Sequence, residues 1–126
     1  MSARQLPVIR AKSARQATSA LARYERHVRR LAATWLDMEL YARVSEEVDE
    51  IRRFSAVLPA LAYPCTALLI SHADLIHALW ARSQPSAAPD SGEVDRRLEE
   101  HLHCIDALAR RCVRLGAVDG TDHRRA

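Results

Sequence analysis

The chain has 126 residues, 48% of them hydrophobic but only 5% aromatic, with 19 Lys+Arg against 16 Asp+Glu and a formal net charge of +3. That length suits one small domain with a core of its own. Three cysteines are too few and too oddly spaced for a disulfide framework or a zinc ribbon. The apolar share is largely Ala and Leu, and strand-type runs of Val, Ile, Thr and aromatics are missing. Ala, Leu, Arg and Glu favour helix, so the expectation is an all-α antiparallel helical bundle of three or four helices.

Residues 1–12 contain Pro7 and no acid, and read as a basic flexible arm. A single helical domain is expected over 13–115. Between Ser13 and Leu58 no Gly or Pro interrupts the chain. Leu21, Tyr24, Val28, Leu31, Trp35 and Met38 step by three and four, as one helix face does. After Trp35 the stripe moves to Leu36, Leu40, Val44, Val48, Ile51 and Phe54. One unusually long helix over about 13–56 is expected. A break near Ala33 and Thr34 is the alternative, with Thr34 as N-cap and Asp37 at the third helical position.

The next helix is expected to start at Pro59 or Pro64 and to run to about Arg82. "SQPSAAPDSG", residues 83–92, is a loop. The last helix spans about Glu93–Leu115, with Gly116 as its C-terminal residue, and 116–126 read as a frayed tail. Its apolar seam is Val94, Leu98, His101, Ile105, Leu108, Cys112 and Leu115. The preceding helix offers Leu61, Cys65, Leu68, His72, Leu75 and Leu79. A short loop makes the two antiparallel neighbours. With the register taken from the loop ends, Cys65 faces Cys112, His72 lies level with Cys104 and Ile105, and Leu75 faces His101.

Three functional readings follow. The long stripe needs a partner, so the first is a non-enzymatic helical interaction protein. It would be a homodimer or higher oligomer built on the long helix, or would pair with another helical protein. The second is a bundle holding a metal ion or haem through His72, His101 and Cys104, since imidazole and thiolate are ligand groups. The acid-x-x-His strings Asp74–His77 and Glu100–His103 match di-metal spacing, but their phase turns them away from the seams.

The third reading is nucleic-acid binding by Arg4, Arg10, Lys12, Arg15, Arg23, Arg26, Arg29 and Arg30. Residues 1–30 hold these eight bases and one acid, Glu25, a net of +7. Residues 37–50 hold six acids and one base, a net of −5. No base-reading module or stacking surface accompanies the basic run. "RRLEEH", residues 96–101, resembles the Arg-x-x-x-x-His string of the HEPN ribonucleases, which are also small helical bundles; one such string in an Arg-rich chain carries no activity over. No apolar leader precedes the first helix, so a cytoplasmic location and no membrane association are expected.

Overall fold

The computed structural model describes residues 5–86 and 92–125, with backbone alone for 5–6 and 118–125. Four helices form an up-down-up-down bundle: α1 (Gln5–Ala33), α2 (Met38–Ala56), α3 (Ala62–Arg82) and α4 (Glu93–Arg125). A 3-10 turn, Pro59–Leu61, leads directly into α3. α4 packs along both α1 and α3, α2 packs mainly along α1, and α2 touches α3 more lightly. No helix among the described residues is long and apolar enough to cross a membrane.

The long helix expected over 13–56 does not exist; the chain reverses after Ala33. Asp37 is the N-cap of α2. Its backbone is extended (φ −98°, ψ 106°) and its carboxylate accepts a hydrogen bond from the Leu40 N–H at 3.1 Å. Thr34 is not a cap for α2. It closes α1 instead, donating from N–H and Oγ1 to the Arg30 carbonyl at 2.9 and 2.8 Å. The reversal lets one half of the stripe cover the other. Leu21, Tyr24, Val28 and Leu31 from α1, and Leu40, Val44, Val48 and Ile51 from α2, are all buried. A straight helix would have left both rows in water, at about 1.5–3 kcal/mol for each large side chain.

The expected arm at 1–12 is also corrected where it is described, because α1 already begins at Gln5. Pro7 lies in the first helical turn, where its missing N–H had no intrahelical partner to lose. Ala11 and Ala14 there are buried, so α1 needs its first turns to complete the core. Residues 1–4 lie outside the described residues.

The frayed tail expected from 116 is helical to Arg125. Gly116 does not end α4; it sits inside the helix where α1 approaches closely. A Cβ at that position would stand 3.1 Å from Cγ of Arg15. Gly92 is the glycine with a left-handed backbone, at φ +82°. Its carbonyl accepts the Arg96 N–H at 3.0 Å and so starts α4.

The seams read from the sequence for α3 and α4 line the core. Leu61, Cys65, Leu68, Leu75 and Leu79 are buried on one side, and Val94, His101, Ile105, Leu108 and Cys112 on the other. All three cysteines are free thiols. Burial, and the neighbouring Cys65, push the Cys112 thiol up to about 11. A thiolate is the reactive form, so in the native protein a thiol reagent should label the half-buried Cys104 first. Cys65 and Cys112 should react at the unfolding rate, and prompt native labelling of all three would contradict this packing.

Candidate functional site

Two places depart from an ordinary apolar bundle. One is a polar chain inside the core, and the other is an apolar face outside it.

Tyr24, fully buried on α1, reaches across the bundle to both seam histidines. Its hydroxyl lies 2.6 Å from Nδ1 of His72 on α3 and 2.5 Å from Nε2 of His101 on α4. Ser71 Oγ lies 2.5 Å from Nδ1 of His101 and 3.0 Å from the Leu68 carbonyl. Burial lowers the pKa of His72; burial and then the neighbouring His72 lower His101 to about 3. Both imidazoles are therefore neutral near pH 7, and each carries one N–H.

Proton counting then fixes every direction. The Leu68 carbonyl can only accept, so Ser71 donates to it. His101 Nδ1–H donates to Ser71 Oγ, and Tyr24 O–H donates to His101 Nε2. His72 Nδ1–H donates to the Tyr24 oxygen. Burial first, and then the nearby Glu47 carboxylate, raise the Tyr24 phenol well above its ordinary value, so it keeps its proton. That carboxylate accepts from Nδ1 of His27 at 2.8 and 2.9 Å. Three helices, α1, α3 and α4, thus meet around one hydroxyl, with the polar groups satisfied as a buried network must be.

The predicted metal trio is only partly brought together. His72 and His101 are neighbours, with ring centroids 5.8 Å apart. His72 and His101 both reach the Tyr24 hydroxyl, and Cys65 neighbours Cys112 as the seams implied. Both ring nitrogens of His101 are engaged in hydrogen bonds. Among the described residues no group of three or more His, Cys, Asp or Glu side chains is placed to hold a metal ion. Asp74, His77, Glu100 and His103 are all exposed, as their phase implied. Asp74 lies 3.8 Å from Arg97. In "RRLEEH", Arg96 points outward to pair with Glu93, while His101 points into the core.

The basic residues of α1 are exposed, but the acidic run of α2 lies alongside the second half of that helix. Arg23 pairs with Glu50 at 3.2 Å, and His27 with Glu47. Arg29 pairs with Glu25 on its own helix at 3.5 Å. Two contacts thus join α1 to the acidic run of α2, Arg23 with Glu50 and His27 with Glu47. Lys12 and Arg15 lie beyond the last turn of α2 and line an open cleft with Phe54. Arg10, Arg26 and Arg30 face solvent. Arg4 lies outside the described residues.

The outer face of α3 was not singled out by sequence. Tyr63, Thr66, Ile70, Ala73, His77 and Trp80 are all exposed and step by three and four. Tyr63 is 86% exposed and Ile70 58%. Trp80 closes the row, edge-on to Trp35 with centroids 5.0 Å apart, and Tyr41 packs beside it. Asp74 and the terminal Arg82 are the charges α3 carries. The outward faces of α1, α2 and α4 carry more Arg, Glu and Asp, with Val8, Ile9, Met38 and Val113 exposed among them. The signal in the sequence was a second 3-4 progression on a helix whose first had already been assigned to the core.

No family model, curated protein or solved structure matches the chain. The fold defines it as a four-helix up-down-up-down bundle.

Proposed function

We propose that the protein is a helical association module whose binding surface is the outer face of α3. The observation that carries this reading is the second apolar row of α3, from Tyr63 to Trp80, fully formed and left facing water. A helix apolar all round is ordinarily covered on both sides, and contiguous exposed apolar surface marks an interaction site. The 13–56 segment, whose stripe suggested association, folds back on itself as α1 and α2. Its stripe is now covered within the chain, so the surface moves from there to α3.

The buried Tyr24 network fits a scaffold role. It ties α1, α3 and α4 into one register, as polar core residues can, and so fixes the shape of the face that α3 presents.

Ile70 sits mid-row and its replacement removes no core contact. Ile70→Glu should keep the helical circular dichroism and change stability by less than about 0.5 kcal/mol, as surface substitutions usually do. It should reduce association at least tenfold by light scattering. An associated variant, or a wild-type protein that never associates, would overturn the proposal.

A further inference from the structure

We infer a ligand site independent of the α3 face: the cleft between α1 and the end of α2 binds a small organic phosphate that carries a planar ring, a mononucleotide in its chemistry. Lys12, Arg15, Gln16, Ser19 and Arg23 of α1 line one wall. Glu50 and Phe54 of α2 line the other. The cleft is open and encloses about 520 Å³, within the range of small-ligand sites. Lys12, Gln16, Ser19 and Arg23 step by four, three and four, with Arg15 beside them, so one helix surface presents them together.

The two ends of the cleft differ, and the difference selects the ligand. At one end Lys12 and Arg15 have no ion pair among the described residues; the pairs α1 makes belong to Arg23, His27 and Arg29. Arg15 is set in place by α4. Its stem crosses Gly116, where a Cβ would stand 3.1 Å from its Cγ. An ammonium and a guanidinium, with the Gln16 amide and the Ser19 hydroxyl beside them, offer a phosphate charge-assisted hydrogen bonds. At the other end Glu50 accepts from Arg23 at 3.2 Å. Its carboxylate keeps acceptor sites for a ring amino group or a sugar hydroxyl.

Phe54 stands between these ends. It lies one turn beyond Glu50 on α2 and is half-buried. Because Arg23 meets Glu50 across antiparallel helices, Phe54 comes level with Ser19. A base stacks on such a ring. From Ser19, Arg15 is about 6 Å and Lys12 about 10 Å along α1, room for a sugar between ring and phosphate. The basic run thus gains from α2 the stacking ring that its own sequence lacks. Glu50 and Glu47 also exclude a long strand. Successive phosphates of a nucleic acid lying along α1 would meet these carboxylates, and like charges repel. The ligand therefore has one anionic end.

Titration calorimetry of the full chain at low salt, with AMP, GMP, CMP and UMP in turn, tests the site. At least one should bind with a Kd of about 1 mM or tighter, and about tenfold more tightly than its nucleoside or inorganic phosphate. The double variant Lys12→Ala/Arg15→Ala, at two exposed positions, should weaken that binding by about tenfold or more. Phe54→Leu should weaken it about tenfold, and Phe54→Tyr, which keeps a ring, should restore it. Circular dichroism checks that each variant is folded. Ile70→Glu touches none of the cleft and should bind as the wild type does, so failure of the α3 reading and failure of this one are distinguishable. Binding of none of the four mononucleotides would overturn the site. So would unchanged affinity in the Lys12→Ala/Arg15→Ala variant. An eight-residue oligothymidylate that binds more than about tenfold tighter than every mononucleotide would overturn it as well, in favour of a strand-binding surface.

Discussion

Replacing Tyr24 by Phe should destabilise the protein by about 2–4 kcal/mol without changing its helix content. The ring remains, so no cavity opens. What disappears is the hydroxyl to which His72 Nδ1–H donates and from which His101 Nε2 accepts. A buried polar group left without its partner costs about 1–3 kcal/mol, and here two lose theirs together. Against a total stability of about 5–15 kcal/mol for a domain, that is a large share. Urea unfolding should show a lower midpoint at an unchanged slope. Adding His101→Leu to Tyr24→Phe should then cost less than the two single changes combined, because the partners leave together. A shift below about 0.5 kcal/mol in the single variant would mean that the network holds nothing in place.

Acid should be the second large perturbation. In the unfolded chain both histidines titrate near about 6.5. In the folded protein burial lowers both, His101 to about 3. Above about pH 6.5 neither state binds the extra proton, and the stabilising effect is fully present. Below it the unfolded chain takes up protons that the folded chain refuses, so stability falls as pH falls. The loss from His101 ends only as the folded pKa near 3 is passed.

The slope approaches about 1.4 kcal/mol per pH unit for each such histidine. His101 alone then contributes a loss of roughly 2 kcal/mol between pH 6.5 and 5, above the range where most carboxylates titrate. The groups around it give a proton no welcome. Tyr24 donates to Nε2, Ser71 can be served by only one N–H, and a second imidazole lies alongside. Urea midpoints at pH 7, 6 and 5 should decline for the wild type and decline less for His101→Leu. Equal midpoints across that range would contradict the buried, neutral assignment.

Much of this architecture was legible in the sequence, and the failures have physical causes. The α3 and α4 seams were correct because each helix has strong 3-4 periodicity and a Pro- and Gly-marked end. The reversal at 34–37 was read only as the alternative to one long helix because it carries neither residue. Its marks were subtler: the shift of the apolar stripe at Trp35, and an aspartate three residues before Leu40. Burial of both half-stripes overrides helix propensity there.

The histidines were correctly placed on the seams, but their partner was not foreseen. Tyr24 lies 48 residues from His72 and 77 from His101, and a loop-based register could not reach across to α1. A tyrosine within an apolar stripe was the only hint, since a buried phenol needs a partner for its hydroxyl. The reversal brings the acids of α2 beside the second half of the basic run, where Arg23 meets Glu50, and leaves Arg10, Arg26 and Arg30 facing solvent. Charge runs far apart in sequence report on a partner only once the fold has shown that they do not answer each other.

The mass of the wild-type protein over a dilution series tests the central claim most directly. Sedimentation equilibrium at neutral pH should give twice the 14.2 kDa chain mass at high concentration, falling towards the single-chain value on dilution. A constant 14.2 kDa at every concentration would contradict an association surface on α3.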